Sequence, residues 1–250
     1  MSKTNLYALD FDGVICDSAV ETGITGWKVA HQIWLDMPSL PNEQAIDNFR
    51  LVRPVMETGF EAILIMRLLF LGESPSSLLT NFTSKINDII SRKGLSIDML
   101  KQQFGETRDQ WIDNDLDEWI EMNPLFDGIA NKLRQIDPRQ TYIITTKQER
   151  FVDQIFKANK IAFPTDRIFG LDRKMSKTQI LANLLKKHKN QTILFVEDRL
   201  PTLHNVINEK NLTAVNLYFA NWGYNTEQDK KKASAIDAIT TIDLTHFLSL

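Results

Sequence analysis

Four stretches of this chain set chemically active residues at short intervals. In LDFDGVICDS an apolar run meets Asp10, Asp12 and Asp17, with Gly13 among them. IITTK ends on Thr145, Thr146 and Lys147, GLDRKMSK holds Lys174 and Lys177, and LFVEDR carries the adjacent acids Glu197 and Asp198. Carboxylates gathered in one place repel one another, and burial raises their pKa values, so such a set calls for a compensating cation. A hard divalent ion with oxygen ligands meets that need, and Mg²⁺ is the usual one where a phosphate is bound as well. Taken alone, DFDG also reads as a tight turn whose acids cap a helix. The chemical reading gains its weight only if the stretches meet.

The flanking sequence supplies the elements that would bring them together. Asn5 to Leu9 is a short apolar run stopped by acids and Gly13, the pattern of a strand buried on both faces. After Pro124 such strands alternate with helical segments: Thr141 to Thr145, Arg167 to Gly170, Thr192 to Val196 and Thr213 to Leu217 as strands, with helices at Asn131 to Ile136, Gln148 to Ala158, Lys177 to His188 and Leu200 to Asn208. That alternation predicts a parallel sheet with helices on both faces. In an open parallel sheet the ligand site lies beyond the carboxyl ends of the strands, where Asp10, Asp12, Thr145, Glu197 and Asp198 all fall.

Between these parts, from Ala19 to Asn123, apolar residues recur at three and four: Trp27, Ala30, Ile33 and Trp34, then Leu78, Leu79, Phe82 and Ile86. Breaks fall at Pro38, Pro41, Pro54, Gly72 to Pro75 and Gly94, and a last helix is expected around Gln110 to Ile120. The expected architecture is therefore α/β: a Rossmann-like parallel sheet core, residues 1-18 and 124-250, interrupted by an inserted all-helical cap domain, residues 19-123. Trp27, Trp34, Trp111 and Trp119 fit the core of that insertion.

Composition bounds the partners. The 250 residues are 43% hydrophobic and 24% charged, ordinary for a globular protein, and 29 Lys and Arg against 32 Asp and Glu give a net charge of -3. This leaves no basic footprint for nucleic acid. No apolar run approaches the roughly 20 residues that span a bilayer, so no membrane partner is expected. The lone Cys16 makes no internal disulfide and the N-terminus shows no secretion signal, so the cytoplasm is the expected compartment. Cys16 itself reads as a small filler in the first loop.

LDFDGVICDS, then IITTK, then a Lys ahead of LFVEDR, in that order, resembles the haloacid dehalogenase superfamily of phosphotransferases and hydrolases. The likeness covers the α/β core, and the helical insertion occupies the place of that family's first cap type. The resemblance implies Asp10 as the nucleophile that forms an aspartyl phosphate. It implies Asp12 as the acid that protonates the leaving alcohol and then activates water, its backbone carbonyl meeting the metal. Thr145 would donate to the phosphoryl oxygens, with Thr146 beside it as a substrate contact, and a Lys would offset their charge. Lys177 is preferred because Ser176 can cap its helix and fix its Cα, with Lys174 in a loop as the alternative. Lys147 follows a strand too, but a Lys opening a helix reads as surface decoration. For the metal, Asp198 is expected as the direct ligand and Glu197 as its water-mediated partner, with the swapped assignment open. Position 202, four beyond Asp198, is Thr rather than a further acid.

Asp12 argues against the dehalogenase branch, which needs no acid there. The family's sugar-phosphate mutases carry a His early in the cap, where this chain has Thr22; its phosphonate-cleaving members need a cap Lys, and Lys28 offers no evident reason for a lowered pKa. The expectation is a Mg²⁺-dependent phosphomonoester hydrolase, phosphoglycolate phosphatase-like in layout, acting on a small phosphorylated metabolite. A sugar-phosphate mutase and a non-catalytic phosphate- or protein-binding member are the alternatives. Arg53 and Glu57, between two helices of the insertion around Pro54 and Gly59, are the candidate substrate-selecting residues, against the plainer reading of that segment as a helix connection.

Overall fold

The computed structural model describes residues 4-250, which form two compact units: residues 18-124, and residues 4-17 together with 125-250. Strand β1, Thr4–Leu9, opens the chain. Leu6, Ala8 and Leu9 are fully buried, as a strand covered on both faces requires. Past Leu9 the Asp10 N–H still donates to Val196 O at 3.0 Å, and then the chain turns back sharply. Gly13 takes φ +87°, and its N–H donates to Cys16 O, while the N–H groups of Ile15 and Cys16 donate to Phe11 O. Cys16, fully buried, bridges both to Asp12 and to Leu125.

The helical unit contains α1 (Ala19–Ile33), α2 (Glu43–Val52), α3 (Glu61–Phe70), α4 (Pro75–Lys93), α5 (Ile97–Asn114) and α6 (Leu116–Glu121). Its starts follow capping chemistry: Asn42, Ser74 and Ser96 accept from the third residue of α2, α4 and α5. The expected closing helix at Gln110 to Ile120 is instead two helices, broken at Asp115, whose carboxylate accepts from Glu118 N and starts α6. Helices α1 and α3 meet at Gly26, where a Cβ would lie 2.7 Å from the Ala62 backbone, so only glycine permits that approach. Around this contact Trp27, Val29, Phe49, Leu64 and Leu100 form one apolar core. Trp34, Trp111 and Trp119 are buried as well. One ionic cluster lies beside Trp119: Arg108 donates Nε and Nη2 to the two oxygens of Glu21 at 2.7 and 2.6 Å, with Thr25 Oγ1 and Trp119 Nε1 also donating to Glu21.

The second unit continues with α7 (Ile129–Gln135), β2 (Thr141–Ile144), α8 (Glu149–Ala158), β3 (Ile168–Phe169), α9 (Lys177–Lys187), β4 (Gln191–Glu197), α10 (Leu200–Ile207), β5 (Val215–Ala220), α11 (Glu227–Ser234), β6 (Ile239–Ile242) and α12 (Leu244–Ser249). All pairings are parallel, in the order β3-β2-β1-β4-β5-β6. Leu9 of the central strand stands between Ile143 and Val196. The strand order reverses at β1, since the chain builds outward on one side to β3 and on the other to β6, and that switch point opens a crevice at the carboxyl ends. Strand β5 lies later than the expected Thr213 to Leu217, because a 3-10 turn holds Lys210–Leu212. Among the described residues no helix is long and apolar enough to cross a membrane.

Candidate active site

The switch point gathers the residues singled out by type. Asp10 follows the end of β1, Glu197 closes β4 with Asp198 next, and Lys177 opens α9. Ser176 fixes that helix start through a capping box: its Oγ accepts from Gln179 N while Gln179 Oε1 accepts from Ser176 N. From there Lys177 Nζ reaches Asp10 Oδ1 at 2.9 Å and Glu197 Oε2 at 2.7 Å. Lys174 sits in an αL turn at φ 53° and is exposed. Of the two lysines, only Lys177 is in this ionic cluster.

Asp10, Glu197 and Asp198 are all buried, and each presents a carboxylate oxygen within 4.8 Å of the other two. Three buried carboxylates crowd the carboxyl ends of β1 and β4, with the Lys177 ammonium between Asp10 and Glu197 and Arg199 acting on Glu197. Burial, then the charge of Glu197, pushes the Asp10 carboxyl up from 3.8 to about 7, although Lys177 works against the shift. Burial alone would lower the Lys177 ammonium, but Asp10 and Glu197 outweigh it and hold it above its ordinary value. Burial would likewise raise Glu197, yet Lys177 and the Arg199 N–H keep it low. The division is consistent: Glu197 stays low, and Asp10 takes the upward shift.

An all-oxygen donor set of crowded buried carboxylates suits a hard divalent cation. The backbone is built close around it. A Cβ at Gly13 would stand 2.0 Å from Asp198 Oδ2, and one at Gly223 would stand 2.4 Å from Asp198 Cβ and 2.3 Å from Gly13 O. The loop after β5 closes this side, with Tyr224 N donating to Asp198 Oδ2 at 2.6 Å, Tyr224 Oη to Asp17 Oδ1 at 2.8 Å, and Asn225 Nδ2 to Asp198 O at 3.2 Å. Thus Asp198 is held by backbone on two sides, whereas Glu197 is held by Lys177 and the Arg199 N–H.

Thr145 lies just beyond β2, buried, its N–H donating to Phe169 O and its Oγ1 accepting from Lys147 N at 3.1 Å. Thr146 beside it is half-buried. Asp12 lies outside the three-carboxylate group; its Oδ1 accepts from Lys147 Nζ at 3.1 Å.

Lys147 corrects the expectation of surface decoration. Helix α8 starts only at Glu149, so Lys147 belongs to the loop after β2, and its side chain is wholly buried against Asp12. Its place directly after a buried strand end was the signal available in the sequence. Lys28 corrects another reading: its ammonium lies 3.5 Å over the Trp111 ring, and burial lowers its pKa against the opposing pull of Glu118 and Glu21. Arg53 and Glu57 belong to the helical unit. Arg53 is buried in the 3-10 turn Arg53–Val55, Glu57 is exposed, and Glu61 accepts from the N–H groups of Glu57 and Thr58 at the start of α3.

The fold is shared by solved structures, among them one described as a haloacid dehalogenase-like hydrolase and others described as predicted phosphatases. A predicted phosphatase from Clostridium acetobutylicum superposes with a TM-score of 0.58 at 16% identity, covering 99% of this chain and 98% of its own. A predicted phosphoglycolate phosphatase from Haemophilus somnus 129pt gives 0.58 at 16% identity over 100% and 98%. A protein described as a haloacid dehalogenase-like hydrolase from Bacteroides fragilis gives 0.57 at 16% identity over 97% of each chain. No family model and no curated protein sequence matches this chain.

Proposed function

We propose that this protein is a phosphomonoester hydrolase that uses Mg²⁺ and an aspartyl-phosphate intermediate to release phosphate from a small phosphorylated metabolite. The observation that carries the reading is the ionic cluster in which one lysine bridges Asp10 and Glu197 while Asp198 stands within reach of both. Asp10 is the nucleophile. Phe11 N and Lys177 Nζ both engage its Oδ1, which leaves Oδ2 as the oxygen that attacks phosphorus. Asp10, Glu197, Asp198 and the Asp12 carbonyl would hold the metal, with Asp198 the direct ligand and Glu197 acting from behind it. When bound, the dication keeps Asp10 ionised and offsets charge on the phosphoryl oxygens.

Asp12 hands a proton to the departing alcohol and afterwards takes one from the attacking water, a role worth about 10²- to 10⁴-fold in rate. Lys177 and the Thr145 hydroxyl stabilise the charge that gathers on the transferring group. Thr146 contacts the substrate, and the helical unit, residues 19-123, acts as a cap from which Arg53 and Glu57 select it. The site works in the cytoplasm on a soluble metabolite, without nucleic acid or membrane. The relatives of known structure with phosphatase descriptions support this choice of reaction. The test is a panel of phosphorylated metabolites and an aryl phosphate, assayed for free phosphate with and without Mg²⁺. Metal-dependent release that disappears in Asp10→Asn is the expected result; binding without turnover across the panel would overturn it.

A further inference from the structure

The loop after β5 reaches the candidate metal site without supplying a carboxylate to it. Residues 222-225 press on the loop that follows β1. Trp222 Nε1 donates to Val14 O at 3.2 Å, and a Cβ on Gly223 would stand 2.3 Å from Gly13 O. Tyr224 makes three approaches of its own. Its N–H donates to Asp198 Oδ2 at 2.6 Å, its Cδ2 would lie 2.9 Å from a Cβ at Gly13, and its hydroxyl donates to Asp17 Oδ1 at 2.8 Å. Both Tyr224 and Asp17 are half-buried, and both belong to the unit that carries the sheet.

A carboxylate held at one oxygen by a backbone N–H keeps its orientation only while that N–H stays in place. Tyr224 lies past the end of β5, outside the ladder that fixes the strands, so its N–H needs another anchor. The phenol supplies one, because a hydroxyl donating to a carboxylate forms a charge-assisted bond, about twice as strong as a neutral one. That bond ends on Asp17, at the far end of the loop that begins with Asp10, and so ties the loop of one candidate ligand to the N–H that holds another. We propose that Tyr224 is a positioning residue for Asp198: its hydroxyl, anchored on Asp17, steadies the N–H that aims the Asp198 carboxylate at Mg²⁺. The inference rests on the Mg²⁺ reading above and adds a residue that acts through Asp198 rather than on the reacting atoms.

Titrating Mg²⁺ against the thermal midpoint of the full chain tests this without any turnover. Tyr224→Phe keeps the ring beside Gly13 and removes only the hydroxyl; it should weaken Mg²⁺ affinity by about tenfold, the low end for groups that orient metal ligands. Saturating Mg²⁺ should then restore kcat on an aryl phosphate, with KM for the ester unchanged. Asp17→Ala removes the other end of the same bond, so the double substitution should bind Mg²⁺ no more weakly than the weaker single one. Tyr7→Phe deletes a hydroxyl elsewhere in the unit, one that donates to Leu250 O at 2.8 Å, and should leave the affinity as it was. If the unsubstituted chain binds Mg²⁺ and Tyr224→Phe binds it equally well, the positioning role is overturned while the hydrolase reading stands, even if the metal-free midpoint drops. An equal loss in Tyr7→Phe, losses that multiply in the double substitution, or a kcat that stays low at saturating Mg²⁺ would overturn it too. No Mg²⁺ binding by the unsubstituted chain would sink both readings together.

Discussion

Lys147 places its ammonium 3.1 Å from Asp12 Oδ1, with the lysine side chain wholly buried and the aspartate 16% exposed. The asymmetry of burial gives the two halves of this pair different costs. Water reaches the Asp12 carboxylate in part, but it does not reach the Lys147 ammonium. Asp12→Ala should therefore lose about 3 kcal/mol of stability, the size of taking one partner from a buried ion pair, while Lys147→Met, which puts an apolar chain of similar length into the same space, should come close to neutral. Chemical denaturation of the two variants measures the difference, and equal losses would show that the pair is not desolvated as the geometry implies.

The same contact has a kinetic consequence under the proposed mechanism. Without Lys147 the Asp12 carboxylate loses the partner that fixes its direction, and proton transfer depends on that direction. Lys147→Met should lower kcat on an aryl phosphate by about 10- to 100-fold, within the range that general acid-base groups contribute. The loss should be steepest for substrates with poor leaving groups, which need the proton most. A uniform loss across leaving groups would place Lys147 elsewhere in the reaction.

In the helical unit the Glu21–Arg108 pair is bidentate and almost fully buried, at 0% and 6% side-chain exposure. Arg108, Thr25 and Trp119, all buried, donate to Glu21, so neutralising it takes the carboxylate away from a buried guanidinium. Glu21→Gln should cost about 3 kcal/mol or more, read as a lower denaturation midpoint with unchanged slope. A loss under about 1 kcal/mol would mean that water reaches the pair.

The sequence exposed the sheet and the site to different depths. Asp10, Glu197, Asp198 and Lys177 were legible because each sits at or next to an element end, where the change from apolar run to polar residue is sharp. Strand β6 was not, since ITTI is four residues long with a half-polar pattern, and its strand character comes from pairing with β5. The break at Asp115 was hidden for a similar reason: Asp within a helical spacing reads as a solvated position until its carboxylate is seen capping Glu118. Lys147 and Lys28 were misread because burial of a lysine depends on which partner lies across the fold, Asp12 for one and Trp111 for the other. Neither partner is near in sequence.

Gly13 offers a steric test of how closely the first loop wraps Asp198. Its φ of +87° favours glycine, and an added Cβ would overlap Asp198 Oδ2. Gly13→Ala should push Asp198 aside or shift the turn, and in either case weaken Mg²⁺ binding by about tenfold or more, since ligand placement controls affinity. Titrating Mg²⁺ against the thermal midpoint reads this without any assay of turnover. An unchanged titration would show that the loop yields at no cost to the carboxylate.

The raised Asp10 carboxyl sets a pH dependence whose sign follows from linkage. Its folded pKa of about 7 lies above the ordinary 3.8, so the folded protein holds this proton more tightly than the unfolded chain does. Without metal, the contribution of Asp10 to stability is therefore fully present below about pH 4, declines as the pH rises, and is lost once it passes about 7. A divalent cation competes for the same oxygen and reverses the trend, because above pH 7 it meets a carboxylate already free of its proton. The thermal shift produced by saturating Mg²⁺ should be small at pH 5.5 and large at pH 8, and chelation at pH 8 should bring the midpoint down again. Asp10→Asn carries no proton to lose, so it should raise the metal-free midpoint at pH 8 and sharply reduce the Mg²⁺ shift. If the shift were the same at both pH values in the unsubstituted protein, Asp10 would not be the group on which the metal and the proton compete.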